Sequence, residues 1–460
     1  MHEQPPNERI KNFNEVALGY TADEAIKEAK RCLKCKNPPC VKGCPIAVDI
    51  PKFISFIAEG KFKESIDAIK ETNFLPAICG RVCPQETQCE VKCVVGKKDE
   101  PVNIGKLERF AADWLMQQSK DFANRKPCLS GRQARTENRK EKVAVVGSGP
   151  AGLTCAAELA KLGYSVTLFE SLHELGGVLI YGIPEFRLPK KILAWEIEGI
   201  RHLGVEIKTN TLIGRTKTID GLRKEGYKAF FIGAGAGLPL FLDIEGENLN
   251  GVYSANEFLT RVNLMKSFLF PKYDTPVVIG DKVAVIGAGN VAMDSARCAK
   301  RLGAKSVSII YRRTEKEMPA RVEEIEHAKQ EGIEFMLLTN PIKIIGNEKG
   351  WMREVICQRN ELGAPDSSGR RSPVPIPGSE FTLGMDTLIC AIGNSPNPLL
   401  PRSMPELKTA RRGNLEVKEN LQTSIEGVFA GGDIVTGSAT VISAMGHGRM
   451  AAHSVGAYLE

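Results

Sequence analysis

Eight of the thirteen cysteines in this 460-residue chain lie near the amino end, between Cys32 and Cys93. They form two groups, which are Cys32, Cys35, Cys40 and Cys44, and then Cys79, Cys83, Cys89 and Cys93. Short spacers let a few turns of chain bring soft thiolates together, as iron–sulfur clusters require. A proline follows Cys44 and Cys83 directly, a feature of ferredoxin-type sequences. The cysteine count and spacing therefore predict two 4Fe–4S clusters.

Structural zinc and disulfides are the competing interpretations of these cysteines. Structural zinc prefers two Cys-x2-Cys pairs, sometimes with histidine. This region has a single such pair, Cys32 and Cys35, and no histidine after His2. A disulfide framework is typical of small secreted domains rather than of a chain this long. Iron–sulfur ligation is the favoured interpretation.

A glycine-rich turn follows the apolar residues VAVV and precedes a segment with helical apolar spacing. Its residues are Gly147, Gly149, Pro150, Ala151 and Gly152. Glycines at these positions permit a tight turn and let the backbone approach a pyrophosphate at the helix N-terminus. Glu170 ends the next predicted strand, where a carboxylate can accept hydrogen bonds from a ribose hydroxyl. The pattern predicts a dinucleotide site.

The same strand–turn–helix–strand unit returns at 282–312. Its turn contains Gly287, Gly289, Asn290 and Val291, and Ala292 takes the place of the third glycine. An NAD site would carry an acid at the end of the next strand, but this chain has Arg312 and Arg313 there. Because a guanidinium can bind a phosphate through two hydrogen bonds, this replacement predicts NADP(H) rather than NAD(H).

These motifs predict an α/β protein of three parts. Residues 1–135 form a helical iron–sulfur domain with a polar linker at 126–142. Residues 136–265 and 385–460 form an FAD-binding domain, and residues 266–384 form an NADP(H)-binding domain. Both nucleotide domains are expected to be Rossmann-like, because each contains one complete βαβ unit.

Three segments carry a resemblance to a known family. CLKCKNPPCVKGCP, CGRVCPQETQCEVKC and PVNIGKLERF resemble the N-terminal domain of the glutamate synthase small subunit family, and the likeness extends along the whole chain. The relatives imply two ligand sets, which are Cys32, Cys35, Cys40 and Cys93, and Cys44, Cys83, Cys89 and Glu108. Counting cysteines would instead make Cys79 the eighth ligand, and a solvated helix-face carboxylate is the alternative for Glu108.

The resemblance also implies that the first nucleotide is FAD, in a fold like that of glutathione reductase. Gly176 and Gly177 resemble an extension of the flavoprotein site. GVFAGGDIV resembles a second flavin motif, in which Gly432 precedes Asp433 and Asp433 bonds the ribityl chain. The segment after it, TGSATVISAMGHGRMAA, is expected to place a helix N-terminus near the flavin ring, with Thr440 among the cofactor-binding residues. The positive end of that helix would stabilise a reduced, anionic flavin.

One further segment, GIPEFRLP at 182–189, is expected to cross the flavin ring and to place Arg187 near the reactive nitrogen. The alternative is an exposed arginine in a proline-rich loop. Hydride transfer between nicotinamide and flavin requires position and electrostatics rather than a catalytic acid or base. Electrons are therefore expected to move between NADP(H), FAD, the two clusters and a partner.

The overall composition limits the classes of partner and the cellular location that are expected. The 62 basic residues are balanced by 55 acidic ones without a long basic block, so nucleic-acid binding is not expected. No run approaches the ~20 apolar residues of a membrane span. The amino end shows no secretory signal, so a cytoplasmic location is expected.

Three roles within the family are open. KNPPCVKGCPIAVDIPKFI favours the large subunit of an electron-bifurcating ferredoxin:NADP oxidoreductase, with a smaller flavoprotein subunit and ferredoxin as partners. The first alternative is the small subunit of glutamate synthase beside its large subunit. The second is a subunit of a sulfide dehydrogenase or polysulfide reductase.

Overall fold

The computed structural model describes residues 2–118, 140–366 and 369–460. The predicted linker lies outside the described residues up to 139, and residues 140–142 belong to a strand. Within the described ranges, no helix combines the length and the apolar character needed to span a bilayer.

The amino-terminal unit is helical, as predicted, apart from two short strands. Its elements are β1 (His2–Glu3), α1 (Pro6–Arg9), β2 (Ala17–Gly19), α2 (Ala22–Ala29), α3 (Pro39–Lys42), α4 (Ile50–Ala58), α5 (Phe62–Lys70), α6 (Pro76–Val82) and α7 (Ile104–Gln118). On α4, Phe53, Ile54 and Ile57 recur at helical spacing and are buried. The same hydrophobic core continues into helices that follow residue 140, so this unit packs directly on the first nucleotide-binding unit.

The chain from 140 to 259 opens with the first predicted βαβ unit. Its elements are β3 (Lys140–Val146), α8 (Pro150–Lys161), β4 (Tyr164–Phe169), α9 (Val178–Tyr181), α10 (Lys190–Arg201), β5 (Glu206–Lys208), α11 (Ile219–Lys224), β6 (Tyr227–Ile232), β7 (Leu238–Pro239), β8 (Val252–Ser254) and α12 (Ala255–Leu259). A π-helical turn, Thr260–Leu264, extends α12.

The second predicted βαβ unit opens the rest of the chain. Its elements are β9 (Lys282–Ile286), α13 (Asn290–Arg301), β10 (Ser306–Ile310), α14 (Val322–Gln330), β11 (Glu334–Met336), β12 (Thr339–Gly346), β13 (Met352–Pro365), β14 (Arg371–Pro375), β15 (Phe381–Gly384), β16 (Thr387–Cys390), β17 (Asn394–Ser395), α15 (Leu399–Ser403), β18 (Val428–Ala430), α16 (Asp433–Thr436) and α17 (Val441–Leu459).

Two five-stranded parallel sheets confirm the predicted α/β fold with two Rossmann-like units. The first has the order β18-β6-β3-β4-β5 and the second has the order β11-β10-β9-β16-β8. In each sheet the glycine-rich turn follows a central strand, β3 or β9, as a nucleotide site in a doubly wound sheet requires. A four-stranded antiparallel sheet of β12 to β15 is attached to the second unit.

The predicted domain ranges differ from the strand pairing at two places. Strands β8 and β16 fall within 136–265 and 385–460, the ranges predicted for the FAD-binding domain. Both pair in the second sheet, where β16 lies between β9 and β8. Short apolar strands such as these carry no local signal of which sheet they will join, because their partners are more than 30 residues away.

Candidate functional site

Four cysteines face one cavity in the amino-terminal unit. They are Cys32, Cys35, Cys40 and Cys93, which is the first set that the family resemblance implied. Pro38 and Pro39 hold the loop that begins α3 against this cavity, and a 3₁₀ turn at Glu90–Lys92 presents Cys93. The structure therefore brings four thiols together from two segments, 32–40 and Cys93.

A second cavity lies beside the first. It is lined by Cys44, Cys83, Cys89 and Glu108. Ile50 of α4 and Ile104 of α7 line both cavities, so the two share an apolar wall. The two cavities, each lined by one of the predicted four-residue sets, therefore lie side by side.

Glu108 lies on a buried face of α7 rather than in solvent, where it is 9 % exposed. Its Oε1 accepts a hydrogen bond of 2.7 Å from Nδ2 of Asn73. Burial, and then the charge of Glu196, raises the pKa of Glu108 to about 8. Cys79 is also buried and does not line either cavity, but its thiol hydrogen-bonds with the thiol of Cys83 and contacts Sδ of Met445 at 3.5 Å. The carboxylate is thus placed as the fourth group of the second cavity.

The thiols of both cavities suit a metal centre. Burial raises the pKa of Cys40 and of Cys44 to about 11 each, and it raises the pKa of Cys89 further. A neutral thiol is a poor ligand, whereas a bound metal ion deprotonates it outright. Converging buried thiols of this kind fit iron–sulfur clusters, whose positive iron ions would compensate the thiolates.

The first glycine turn joins β3 to α8. A Cβ at Gly152 would lie 1.8 Å from the carbonyl oxygen of Gly147, so only glycine fits there. A Cβ at Gly149 would meet nothing within 4 Å, which leaves open space in front of the N-terminus of α8. The backbone N–H of Ser148 donates to Glu170 at 2.8 Å, so Glu170 holds the turn from the end of β4. Pro150 and Ala151 begin the helix, and both are buried.

A matched pair of substitutions tests this turn. Because the Cβ of Gly149→Ala points into free space, that variant should keep its fold while bound FAD falls about tenfold or more. Gly152→Ala should damage the fold itself, because its Cβ collides with backbone. Thermal unfolding and FAD content of the purified variants separate the two effects. Full FAD content in folded Gly149→Ala would contradict the site.

The remaining predicted flavin residues surround the same turn. Gly177 has a φ of +54°, and a Cβ there would lie 3.0 Å from Cα of Gly149. A Cβ at Gly176 would lie 2.7 Å from a methyl group of Leu193. Gly432, with a φ of +76°, packs against Ala151, where a Cβ would lie 3.0 Å from that of the alanine. Two separate segments, at 176–177 and at Gly432, therefore converge on the N-terminus of α8.

Asp433 and Thr440 follow that contact. Asp433 begins α16, and its Oδ1 accepts a 3.2 Å hydrogen bond from the backbone N–H of Ala439. Burial raises the pKa of its carboxyl group. Thr440 caps α17, because its Oγ1 accepts from the backbone N–H of Ser443 at 3.2 Å. A 19-residue helix therefore points its positive end towards this region.

The N-terminus of α17 also reaches the second cavity. Nε2 of Gln88 donates to Oγ1 of Thr440 at 3.3 Å, and both Gln88 and Ile442 line the cavity of Cys44. A Cβ at Gly446 would lie 3.0 Å from the carbonyl oxygen of Pro45, so α17 packs closely on the cysteine-bearing chain. This contact joins the predicted flavin region to the second cavity.

The second glycine turn joins β9 to α13. Gly287 has a φ of +122°, and a Cβ there would lie 2.3 Å from the carbonyl oxygen of Ala391. Gly289 is the N-cap of α13. Oδ1 of Asn290 accepts from the backbone N–H of Arg321 at 3.0 Å, while Val291 is 38 % exposed. This geometry repeats that of the first turn.

The two arginines after β10 differ in environment. Arg313 is buried, pairs with Asp366 at 2.6 Å and donates to the carbonyl oxygen of Arg371 at 2.7 Å. Arg312 is exposed, and its pKa is lowered by partial burial and by the neighbouring Arg313. The two arginines that were predicted to act together therefore differ in their contacts. Arg313 holds the β13–β14 hairpin, and Arg312 faces solvent.

Replacement of these arginines should have different consequences. Arg312→Ala should raise the KM for NADPH about 10- to 100-fold and leave the KM for NADH nearly unchanged, because a charged hydrogen bond to phosphate contributes about 1.5–3 kcal/mol. Arg313→Ala should mainly lower thermal stability, because it removes the buried guanidinium that pairs with Asp366 and donates to the carbonyl oxygen of Arg371. Steady-state kinetics with both coenzymes checks this. Equal changes for NADPH and NADH would contradict the assignment of Arg312.

Arg187 is not the exposed loop arginine of the alternative interpretation. It is buried, and its Nη1 donates to both carboxylate oxygens of Asp294, at 2.9 and 2.7 Å. Its Nε lies 2.9 Å from Glu324. Because two carboxylates from α13 and α14 already engage the guanidinium, Arg187 links the 182–189 segment to the second unit. Its predicted role near the flavin nitrogen stays a prediction.

Several buried or half-buried polar residues of this region had not been predicted. Asn73 positions Glu108, Gln88 bridges Thr440, and Glu196 of α10 accepts from the backbone N–H of Ala77 at 2.9 Å at the start of α6. Arg321 donates to Gln85 at 3.0 Å and so joins the second unit to the iron–sulfur region. Of these residues, Gln85 and Gln88 lie within the cysteine segment, where their position could have signalled a role.

Two family comparisons match this geometry. The family described as dihydropyrimidine dehydrogenase domain II, 4Fe-4S cluster, matches residues 9–120. The family described as pyridine nucleotide-disulphide oxidoreductase matches residues 141–448, with a further match at 118–221. The first match contains all eight clustered cysteines, and the second contains both glycine turns.

Individual proteins are similar to this chain over nearly its whole length. The NADP(+)-dependent formate dehydrogenase subunit beta of Moorella thermoacetica is 40 % identical over 92 % of this chain, and the match spans 60 % of that relative's length. The glutamate synthase [NADPH] small chain of Escherichia coli is 35 % identical over 99 % of this chain and 97 % of its own.

A solved structure supports the fold alone. FprA of Mycobacterium tuberculosis in complex with NADPH is 20 % identical, with a TM-score of 0.58 over 70 % of this chain and 85 % of its own. Together with the family matches, the buried thiols and the two glycine turns fit 4Fe–4S, FAD and NADP(H) as cofactors. The chain belongs to the pyridine nucleotide-disulphide oxidoreductase family and, within it, to the glutamate synthase small subunit family of iron–sulfur flavoprotein oxidoreductases.

Proposed function

We propose that this chain is the NADP(H)-binding subunit of a larger enzyme and exchanges electrons with its partner through two 4Fe–4S clusters. FAD exchanges hydride with NADP(H) and single electrons with the clusters. The observation that carries the proposal is the shared wall of Ile50 and Ile104 between two four-ligand cavities, with the second cavity against the N-terminus of α17.

The ligand assignment follows the two cavities. Cys32, Cys35, Cys40 and Cys93 hold one cluster, and Cys44, Cys83, Cys89 and Glu108 hold the other. The cavity walls support this division, because each contains four donors and neither contains Cys79. Asn73 keeps the Glu108 carboxylate directed to the cavity through its hydrogen bond.

The nucleotide sites are assigned in the same way. FAD lies along the turn at Gly147–Gly152, with Gly176, Gly177, Gly432 and Asp433 around it and Thr440 at the flavin end. NADP(H) lies along Gly287–Val291, and Arg312 binds its 2′-phosphate. Support for this arrangement comes from the open space in front of Gly149 and from the exposure of Arg312.

For the partner, we propose a smaller flavoprotein subunit and ferredoxin, as in an electron-bifurcating ferredoxin:NADP oxidoreductase in the cytoplasm. The resemblance of the first cysteine segment supports this role. A second candidate is supply of electrons for glutamate formation, which is supported by the end-to-end match to the Escherichia coli small chain. The two roles require different partner chains and different acceptors.

Anaerobic purification from the native host, with quantitation of iron, sulfide and flavin, tests the proposal. We expect about eight irons and one FAD on this chain, because two four-iron clusters follow from the eight ligands. A co-purifying small flavoprotein and NAD-dependent reduction of ferredoxin by NADPH support the bifurcating role. A large partner with glutamine- and 2-oxoglutarate-dependent NADPH oxidation supports the second role. Zinc without sulfide would overturn both.

A further inference from the structure

Cys79 is a buried cysteine that the proposed function leaves without a role. It is 1 % exposed and lies four residues before Cys83, which lines the second cavity. The backbone N–H of Cys83 donates to the carbonyl oxygen of Cys79 at 3.1 Å, as in a continuing helical turn. Side chains four residues apart on such a turn lie on the same face. The two sulfur atoms are therefore neighbours, and the two thiols hydrogen-bond with each other.

Contacts with the next helix and with the cavity wall hold α6 in this orientation. A Cβ at Gly80 would lie 2.5 Å from the backbone nitrogen of Arg109, so α6 and α7 pack backbone against backbone. Nε2 of Gln85, which lines the second cavity, donates to the carbonyl oxygen of Cys79 at 3.2 Å. Cys79 is thus fixed next to Cys83 without lining the cavity itself.

The thiol of Cys79 has one proton and three possible acceptors. Sδ of Met445, at 3.5 Å, belongs to a thioether, which is a weak acceptor. Oδ1 of Asn73 is 3.8 Å away and already accepts from the backbone N–H of Leu75 at 2.8 Å. The third acceptor is Cys83, which is a negatively charged thiolate when it binds iron. Because charged acceptors form the stronger hydrogen bonds, the proton is directed to Cys83.

The hydrogen bond to Cys83 bears on the second cluster, because hydrogen bonds to ligand sulfurs are among the factors that set the reduction potential of a cluster. Reduction adds negative charge, and part of that charge lies on the thiolate ligands. A donor beside a thiolate therefore stabilises the reduced cluster more than the oxidised one. This effect is larger in a low local dielectric than in water. The second cavity provides such surroundings, since Cys83 and Cys89 are both buried.

We propose that Cys79 is a positioning residue of the second cluster, whose S–H group donates to the Cys83 thiolate and raises the reduction potential of that cluster. This inference rests on the proposed function, in which Cys83 is a ligand. Reduction adds one electron to the cluster, and the proton stays on Cys79. Because the second cavity lies against the N-terminus of α17, a higher potential favours electron transfer from the flavin end to this cluster.

Redox titration monitored by EPR, on the full chain loaded with iron and FAD, measures this effect. Cys79→Ala removes the donor, whereas Cys79→Ser replaces the thiol with a hydroxyl donor. Cys298→Ala is the matched control, because Cys298 is a fully buried thiol on α13 in the second nucleotide-binding unit. The first cluster is the internal reference, and Cys83→Ala, which should keep that cluster alone, identifies its signal.

In Cys79→Ala we expect about eight irons per chain and a lower midpoint potential of the second cluster. The ratio of reduced to oxidised second cluster at a fixed potential should fall about three- to tenfold, which is a shift of about 30–60 mV for a one-electron couple. Cys79→Ser should restore most of the wild-type potential. The first cluster of each variant, and both clusters of Cys298→Ala, should keep their potentials.

An unchanged potential of the second cluster in fully loaded Cys79→Ala would overturn the role of Cys79 alone. A shift of equal size in Cys79→Ser or in Cys298→Ala would also overturn it, because packing rather than donation would then be responsible. Iron loss in Cys79→Ala would instead overturn the ligand assignment of the proposed function. A wild-type protein that contains zinc without sulfide would overturn the proposed function as a whole.

Discussion

Cys83→Ala should lower the iron content of the purified protein from about eight to about four per chain, whereas Cys79→Ala should leave it unchanged. Cys83 lines the second cavity and Cys79 does not, although the two are only four residues apart. Both are buried, so the loss of packing is similar in the two variants. Their comparison therefore separates ligation from burial.

Measurement of iron content also decides which residue is the fourth ligand in the second cavity. Glu108→Ala should lose the iron of the second cluster as Cys83→Ala does, and Glu108→Cys should keep it, because a thiolate is the usual ligand. Anaerobic iron and sulfide assays, with EPR spectra of the reduced protein, check these expectations. FAD content serves as the control for folding. Iron loss in Cys79→Ala together with full iron in Glu108→Ala would reverse the assignment.

The cysteine region shows which parts of the site could be predicted. The short spacers of Cys32, Cys35 and Cys40 are a local signal, so the spacing alone indicated clusters. The choice between Cys79 and Glu108 depends on which face of α6 and of α7 is turned to the cavity. That orientation comes from tertiary packing, and the spacing left it open.

The nucleotide sites likewise contain features that the sequence predicts and features that it does not. The two glycine turns are local strand–turn–helix signals, and both form as predicted. The role of Arg313 could not be predicted from local sequence. Its guanidinium pairs with Asp366, which is 53 residues away, instead of facing the predicted phosphate site. Strands β8 and β16 could not be assigned to a sheet from the sequence either, because strands of three and four residues do not specify a sheet when the partner strand is distant.

Glu331→Gln should strongly destabilise the second nucleotide-binding unit. The carboxylate of Glu331, which follows α14, is fully buried and accepts from three arginines. The contacts are 2.8 Å from Arg9, 2.9 Å from Arg297 and 2.6 Å from Arg301. Breaking a buried ion pair costs about 3–5 kcal/mol, because it leaves uncompensated charge in the interior.

The position of Arg9 makes this more than a local effect. Arg9 ends α1, in the amino-terminal unit, whereas Arg297 and Arg301 lie on α13. Loss of the carboxylate should therefore loosen the amino-terminal segment from the second unit as well as destabilise that unit. Hydrogen exchange of α13 and tryptic cleavage near Lys11 should both become faster in Glu331→Gln.

The effect should depend on pH in a defined direction. Burial alone would raise the pKa of Glu331, but Arg301 and Arg297 outweigh it and lower that pKa from 4.5 to about 2. A carboxyl group whose pKa is depressed by folding contributes stability above its unfolded value and loses it as the pH falls towards the folded value. The wild-type protein and Glu331→Gln should therefore differ fully at pH 7 and converge between about pH 4.5 and pH 2.

Glu326→Gln is the matched control, because Glu326 lies on α14 but is 53 % exposed and pairs with Lys329 at 3.4 Å. An exposed pair contributes about 0–1 kcal/mol, so this variant should unfold nearly as the wild-type protein does. The midpoints of urea unfolding at pH 7 and at pH 3 are compared for the wild-type protein and the two variants. Hydrogen exchange of the α13 backbone amides is measured on the same three proteins. Equal stability of the two variants at pH 7 would show that Arg9, Arg297 and Arg301 find other partners. A difference that persists unchanged at pH 3 would show that the charge of Glu331 does not provide the stabilisation.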